Sequence, residues 1–572
     1  SLQFVEQMIW ELEKEQDKTK IKTLQDQLNV SKLVSVLLLN RGIDTFDKAK
    51  NFFRPSLTDL HDPFLMQDMQ KAVDRIQQAI KGNEKILVFG DYDVDGTTSA
   101  ALVSSFLNKH ISATVLTYIP DRYSEGYGIS MKSIEFAESN NVKLIIALDC
   151  GIQALDQVEY AREKNIDFII CDHHTPSNEI PKAIAVLNPL REDCNYPYKS
   201  LCGCGIGFKL IQGLNVIMGK PIEQIKEYLD LVGLAIVTDI VALTGENRIL
   251  CYYGLQQINQ SPRIGLKAII DTLEKETITI NELGFYIGPR INAAGRMDSG
   301  NLAVELLIEE DLDKARILAE KLNQLNIERR VLDKETTLES LSQIKKHKNE
   351  ESSVTVVCNP DWHKGVIGIA ASKLMETYYR PTIVFTSSDD FFVGSARSVN
   401  GFNIHDAIGK CKEFVLQYGG HKYAAGIKIK KSQYKDFKDK FEEVVSSTIS
   451  KDAASKKVAI EGEIKLEEIT PKFYRILKQF APFGPGNKTP IFSANNLRDT
   501  GYAKVVGQDN THLKFNLTQQ NSSVIYNAIG FGLANKYPNI LNKKLFNAAF
   551  TVDQNDWNGK QKLQLKVMDI KN

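Results

Sequence analysis

Three hydrophobic runs in this chain each end in acids or imidazoles. Lys85-Ile-Leu-Val-Phe-Gly90 leads into Asp91-Tyr-Asp-Val-Asp-Gly96, Lys143-Leu-Ile-Ile-Ala-Leu148 into Asp149-Cys-Gly151, and Ile166-Asp-Phe-Ile-Ile-Cys171 into Asp172-His173-His174. Short β-branched runs separated by helix-length stretches read as parallel strands of repeating strand–helix–strand units. In such a sheet the carboxyl ends of the strands share one edge, which is where ligands bind. The pattern therefore gathers Asp91, Asp93, Asp95, Asp149, Asp172, His173 and His174 at one rim. Carboxylates crowded in this way repel one another, and a divalent cation is the usual remedy. These residues point to a metal-dependent hydrolase.

At 572 residues the chain has room for roughly three or four domains. It is 43% hydrophobic and 25% charged, ordinary for a globular protein with full cores. Lys plus Arg equals Asp plus Glu at 71 each, so any nucleic-acid site must be a local basic surface offset by acidic regions elsewhere. No segment reaches the roughly 18 apolar residues of a membrane span, and Glu6, Glu11, Glu13 and Glu15 make the N-terminus unlike a signal peptide. The eight Cys form no CxxC pair. Cys202-Gly-Cys204, among Gly-rich apolar neighbours, reads as packing and not as a zinc site. A cytoplasmic, reducing compartment is expected.

Residues 1–75 read as a mostly helical N-terminal region. Over 76–300, strands at 85–90, 112–118, 143–148, 166–171 and 183–187 alternate with helices at Gly96–Lys109, Ser130–Ser139 and Ala154–Lys164. That is a doubly wound α/β domain with a parallel sheet. Residues 301–345 read as one long connecting helix, with Leu318, Leu322, Leu325 and Leu332 forming a narrow apolar stripe amid charge. A smaller α/β domain is expected over 346–450. Beyond the polar linker Lys451–Lys457, residues 455–572 change to short β segments separated by turn signals such as Gly507–Asn510 and Asn558-Gly559. A small antiparallel β-barrel, with an oligonucleotide-binding fold as leading candidate, follows.

Asp91, Asp93 and Asp95 alternate across a loop before a helix, where oxygen ligands suit a hard cation. An acidic turn with a capping Asp is the bland alternative. Asp93-Val-Asp-Gly-Thr97 also matches the DxDGT pattern of haloacid-dehalogenase phosphatases, whose first Asp is a nucleophile. That reading needs a later paired-Asp motif, for which Asp389-Asp390 is the candidate, and it leaves Asp149 and Asp172–His174 unexplained. Adjacent side chains of an extended chain point to opposite sides, so one of His173 and His174 is expected at the metal and the other toward substrate. Asp239, inside the apolar run Gly233–Leu243, needs a metal, a cap or an ion pair, because a buried lone carboxylate is costly.

In order along the chain, Asp91–Gly96, Asp149–Gly151, Asp172–His174 and Asp239 resemble the four motifs of the DHH phosphoesterase superfamily. Pro120-Asp-Arg-Tyr-Ser-Glu-Gly-Tyr-Gly128, Gly288-Pro-Arg-Ile-Asn-Ala-Ala-Gly-Arg-Met297, Gly394-Ser-Ala-Arg-Ser398, Gly419-Gly-His421 and Phe480-Ala-Pro-Phe-Gly-Pro-Gly-Asn487 narrow the likeness to its RecJ family of single-strand-specific DNA exonucleases, over roughly residues 50–572. The resemblance implies a DHH domain, a DHH-associated domain and a cleft between them that admits single strands. It implies two Mn²⁺ or Mg²⁺ ions held by Asp91, Asp93, Asp95, Asp149, His173 and Asp239, about 3.5–4 Å apart as in two-metal hydrolysis, with Asp149 bridging. His174 then steadies the phosphate or leaving oxygen.

The resemblance further implies that Arg122, Arg290, Asn292, Arg296, Ser395, Arg397 and His421 bind DNA phosphates, a task for which the planar guanidinium fork suits Arg; a surface ion pair is the alternative for any single Arg. The barrel is expected to grip the strand by a basic groove and base stacking, with Tyr502, Phe515, Phe531 and Trp557 as candidate stackers or, equally, core residues, because small barrels fill their interiors with aromatics. The implied activity is 5′→3′ hydrolysis of single-stranded DNA to 5′ mononucleotides in recombination and repair. The implied partners are single-stranded DNA, a helicase and a single-strand-binding protein, with no membrane. A same-superfamily enzyme acting on short RNA or cyclic dinucleotides is the rival, together with a non-catalytic single-strand-binding relative.

Overall fold

The computed structural model describes residues 8–347, 351–541, 544–557 and 560–572. The chain divides into two compact units. One comprises Ser1–Arg54, Glu335–Ala481 and Lys488–Asn572, and the other Pro55–Lys334 with Pro482–Asn487.

The second unit holds a five-stranded, all-parallel sheet. Its order is Val115–Tyr118, Lys85–Gly90, Val142–Leu148, Asp167–Cys171, Ala185–Leu187. Strands of such a sheet are buried on both faces and so read as unbroken apolar runs. Ile86 and Val88 enter one core, while Leu87 and Phe89 enter the core of the opposite face. The strand order reverses between Lys85–Gly90 and Val142–Leu148, the switch point at which such sheets bind ligands. Asp91 and Asp149 immediately follow these two neighbouring strands.

The helix after Lys85–Gly90 spans Val94–Ile111, two residues earlier than expected, because Asp93 caps it: its Oδ1 accepts from Gly96 N at 2.9 Å. Asp95 thus lies in the first helical turn and not in a loop. Gly96 is needed there, since a Cβ would meet the Asp91 carbonyl oxygen at 2.3 Å.

The single helix expected over 301–345 is two, Asn301–Ile308 and Leu312–Lys346. Three consecutive acids make the break. Glu309 turns extended (ψ 134°), its Oε1 accepts from the amides of Glu310 and Asp311, and Asp311 Oδ1 accepts from Lys314 N at 2.9 Å to start the second helix.

The first unit contains a five-stranded mixed sheet in the order Gln417–His421, Ala424–Lys430, Phe391–Arg397, Thr382–Ser388, Thr355–Cys358. The hairpin Gln417–Lys430 is not visible in the sequence pattern, because Gly419, Gly420 and Gly426 interrupt any apolar alternation. Asp389-Asp390 is simply a hairpin turn, with Asp389 in the left-handed region (φ 52°), which removes the motif the phosphatase alternative requires.

In the same unit, Phe492–Asp499, Phe546–Trp557, Lys560–Lys571, Ile525–Gly530 and His512–Gln519 pair in that order, and His512–Gln519 pairs back to Phe492–Asp499. This closes a five-stranded barrel. All its pairings are antiparallel except Ile525–Gly530 with Lys560–Lys571. The strand Ile9–Leu12 runs parallel to Lys457–Ile460, and Arg41 meets Glu461 at 2.7 Å. Residues Asn558-Gly559 and the side chain of Trp557 lie outside the described ones. Among the described residues no helix is long and apolar enough to cross a membrane.

Candidate metal centre

Asp91, Asp93, Asp95, Asp149, His173, His174 and Asp239 converge at the carboxyl edge of the parallel sheet. Three groups of ligand atoms each lie within 4.8 Å of one another: Asp91 with Asp93 and Asp149, Asp95 with His173 and Asp239, and Asp149 with His173 and His174. Asp149 and His173 each belong to two of them. Asp239 comes from the C-terminal cap of the helix Leu229–Thr238, far along the chain.

Around His173 Nε2 stand Asp149 Oδ1 at 3.1 Å, Asp239 Oδ2 at 3.6 Å and Asp95 Oδ2 at 3.7 Å. Ion pairing does not account for this. Burial pulls the His173 imidazole below its usual range despite the acids around it. Moreover, Asp149 Oδ1 and His173 Nε2 are both buried without a hydrogen-bond partner. Orphaned atoms of this kind cost free energy unless something ligates them. The acids carry the same message. Burial first, then the neighbouring carboxylates, pushes Asp149 and Asp91 well above the carboxylate range and raises Asp93. Asp239 is pushed up to about 9 by burial, then by Asp95 and Asp93. A set of oxygens with one imidazole fits a hard or borderline divalent cation.

Asp95 has a second task. Its two oxygens accept from Gly203 N at 2.7 Å and Cys204 N at 2.8 Å, capping the helix Gly203–Ile217. Gly203 is required, because a Cβ there would sit 2.6 Å from Asp149 Cβ. The Cys-Gly-Cys segment is thus the floor of the acidic cluster, which the sequence shows only as an unusual Gly-rich run.

The expectation that His173 and His174 point to opposite sides fails. The strand ends at Cys171, so the two rings lie 4.5 Å apart, tilted by 57°. Their roles still separate by burial: the side chains are 16% and 44% exposed respectively. Asp172 orients the outer one. Its Oδ1 meets His174 Nδ1 at 2.7 Å, and its Oδ2 accepts from Ile152 N at 2.9 Å. Burial works against the His174 cation, but the bond to Asp172 and its charge outweigh it, leaving the pKa raised. Tyr127 escaped the sequence reading. Its hydroxyl donates to the Asp149 carbonyl at 3.0 Å and lies 3.1 Å from His174 Nδ1. Only its place in the motif Pro120–Gly128 marks it.

Of the residues expected at DNA phosphates, four lie in this unit. The Arg122 guanidinium covers the Tyr92 ring at 4.9 Å. The helix Gly288–Met297 packs so closely on Tyr92 that a Cβ at Gly295 would meet the Tyr92 carbonyl oxygen at 2.7 Å. It carries Arg290, half-buried Asn292 and Arg296. Arg290 is engaged by its own unit, through Tyr286 O at 2.8 Å and Asn323 Oδ1 at 3.3 Å. Ser395, Arg397 and His421 belong to the other unit. Ser395 and Arg397 share a strand, with Nη1 of Arg397 3.0 Å from Ser395 Oγ. His421 ends the exposed edge strand Gln417–His421.

Three domain families match the chain: the DHH family N-terminal domain over residues 85–236, the DHHA1 domain over 351–447 and the RecJ OB domain over 460–569. The single-stranded-DNA-specific exonuclease RecJ of Bacillus subtilis is 34% identical over 98% of this chain and 70% of its own length. That of Haemophilus influenzae is 32% identical over 90% and 92%, and that of Escherichia coli 30% over 88% and 90%. Among solved structures, RecJ from Thermus thermophilus in complex with Mn²⁺ superposes with a TM-score of 0.85 at 25% identity, covering 99% of this chain and 79% of that one. With this fold, this domain order and this identity over most of both chains, the chain belongs to the RecJ family.

Proposed function

We propose that this protein is a metal-dependent 5′→3′ exonuclease of single-stranded DNA, hydrolysing phosphodiesters to 5′ mononucleotides in recombination and repair. One observation carries the reading. Asp149 Oδ1 and His173 Nε2 are buried, mutually close and unbonded inside a ring of carboxylates. Asp91, Asp93, Asp95, Asp149, His173 and Asp239 would hold two Mn²⁺ or Mg²⁺ ions, a reading supported by the two ligand groups into which these six fall, Asp91 with Asp93 and Asp149, and Asp95 with His173 and Asp239. When bound, the ions supply an activated water and neutralise charge in an in-line phosphodiester displacement.

The chain's own groups do the rest. His174, fixed through Nδ1 by Asp172, keeps Nε2 available to hydrogen-bond a phosphate or leaving oxygen, and its raised pKa favours the imidazolium that does this best. Arg122, Arg290, Asn292, Arg296, Ser395, Arg397 and His421 bind backbone phosphates. Arg122, braced on Tyr92, presents a pre-set fork. A strand-tracking barrel is superfluous for a short RNA or a cyclic dinucleotide, which favours a long single strand as substrate. A nuclease confined to single strands implies a helicase to open duplex and a single-strand-binding protein to hold it open. The eight Cys, all free thiols, fit a reducing cytoplasm.

Digestion of 5′-labelled and 3′-labelled single strands with Mn²⁺, beside a duplex control, tests the proposal. Labelled mononucleotide released at once from the 5′ end and late from the 3′ end is the expected result. Immediate release from the 3′ end, or equal attack on duplex, overturns it.

A further inference from the structure

The motif Phe480–Asn487 contributes no residue to the acidic cluster. Yet residues Pro482–Asn487 fold with the metal-centre unit and not with the barrel whose strand Phe492–Asp499 they precede. They form a tight strap. Gly484 and Asn487 exchange backbone hydrogen bonds of 3.0 Å, and Asn487, 2% exposed, donates from Nδ2 to the Pro482 carbonyl at 2.9 Å.

The strap lies on the segment that follows Asp239. Leu243 N donates to the Pro485 carbonyl at 2.7 Å. A Cβ at Gly484 would meet buried Leu243 Cδ1 at 2.5 Å, and one at Gly486 (φ +75°) would meet Thr244 Cγ2 at 2.9 Å. From the other side, the Ala242 carbonyl accepts from Asn247 Nδ2 at 2.9 Å and Tyr198 OH at 3.2 Å. Residues 242–244 are therefore clamped.

Between the clamp and Asp239 stands Ile240, a β-branched residue in the left-handed region (φ 57°) that is 71% exposed. Such a conformation persists only where the surroundings over-determine it, and such strain gathers at functional sites. Ile240 directly follows the helix cap Asp239, where a left-handed residue commonly ends a helix but is usually Gly or Asn, and the backbone just beyond it is fixed by the clamp.

We infer that the Pro482–Asn487 strap is a positioning element for Asp239: by gripping residues 242–244 it holds Ile240 strained and so keeps the Asp239 carboxylate at His173. This rests on Asp239 being a metal ligand. Outer partners that orient a ligand change metal affinity, roughly 10- to 100-fold when lost.

The experiment is a Mn²⁺ titration of the full chain, read by the electron paramagnetic resonance of free Mn²⁺, for wild type, Gly486→Ala, Asp239→Asn and the double variant. Single-strand binding is measured alongside in EDTA. Gly486→Ala is expected to weaken Mn²⁺ binding by about ten-fold or more, to leave strand binding in EDTA unchanged, and to add nothing in the Asp239→Asn background. Wild-type Mn²⁺ affinity in Gly486→Ala, or an equal weakening with and without Asp239, overturns the strap's role. Mn²⁺ binding indifferent to Asp239→Asn alone overturns instead the ligand assignment beneath it. If Gly486→Ala does not fold, Asn487→Ala, which loosens the strap at Pro482, takes its place under the same criteria.

Discussion

His173 Nε2 and Asp149 Oδ1 lie 3.1 Å apart, buried, and share no hydrogen bond. Two unsatisfied groups pressed together at the switch point of a parallel sheet are a cost that folding alone has no reason to keep. Asp149 belongs to the ligand group of Asp91 and Asp93 and lies 3.1 Å from His173 of the group with Asp95 and Asp239, so its loss should disturb both ion positions. Asp149→Ala should therefore cut hydrolysis by far more than the roughly 100-fold loss of an outer partner, while single-strand binding, which draws on other residues, persists. Turnover assays with Mn²⁺ and filter binding in EDTA check the two halves. Near-wild-type turnover would sink the two-metal reading.

The same cluster sets a pH dependence whose sign is fixed. Burial, then Asp95 and Asp93, pushes Asp239 up to about 9 in the folded, metal-free protein, against about 4 in the unfolded chain. For a carboxyl whose folded pKa is raised, the stabilising contribution is full below the unfolded pKa and is lost as pH rises through the folded one. The raised values of Asp91, Asp93 and Asp149 act in the same direction. Metal-free protein should thus lose stability between mildly acidic and alkaline pH, and a bound cation, which displaces those protons, should restore it. In calorimetry the rise in Tm caused by Mn²⁺ should be larger at about pH 8.5 than at about pH 5.5. An equal rise at both would show that these carboxylates do not meet the ion.

How far the sequence disclosed this site depends on which contacts are local. Asp91, Asp149 and Asp172–His174 were legible because each ends an apolar strand, and strand ends of a parallel sheet must meet. The inner and outer roles of the two imidazoles were not legible. They depend on where the strand stops and on Asp172 reaching back to Ile152 N and His174 Nδ1. Gly203 and Cys204, which hold Asp95, and Tyr127, which holds His174, act across long sequence separations that periodicity does not register. The break at Glu309–Asp311 was missed for a different reason. Acids favour helix starts as readily as helix surfaces, so three in a row carried no unique sign.

On the barrel, Tyr502, Lys504, Lys514, Phe515, Asn527 and Lys562 line a cavity of about 580 Å³. Phe515 is 1% exposed and belongs to the core, whereas Tyr502 is 71% exposed and free to stack on a base. Phe531, 55% exposed, faces the Lys566 ammonium at 5.5 Å. Tyr502→Ala should cost about 1–3 kcal/mol of strand binding. Lys504→Ala and Lys562→Ala should each lower the slope of log affinity against log salt by about 0.7, the value for one phosphate contact on a single strand. Phe515→Ala should instead lower barrel stability. Titrations of a labelled strand over a salt series would measure these effects, and unchanged slopes would remove the cavity from the DNA path.

Gly203 offers the sharpest separation of site from scaffold, because its neighbour Gly205 serves as control in the same helical turn. A Cβ at Gly203 would lie 2.6 Å from Asp149 Cβ and 2.8 Å from Asp149 Cα. Asp149 cannot retreat easily: its backbone is left-handed (φ 60°) and its amide donates to the Cys171 carbonyl at 2.9 Å. The helix start must move instead, which stretches the 2.7 Å bond from Gly203 N to Asp95 Oδ2. At Gly205 the nearest atom to a new Cβ is Leu201 Cδ2 at 3.4 Å, an ordinary contact, and Ala is the better helix former. Gly203→Ala should therefore cost about 1–3 kcal/mol of stability as an overpacked core position and disturb both Asp149 and Asp95. Gly205→Ala should be neutral or slightly stabilising. Urea unfolding gives the stability difference, and Mn²⁺ titration should show weakened binding only in Gly203→Ala. Equal Mn²⁺ affinity in the two variants would mean that the carboxylates are not set by the floor on which they rest.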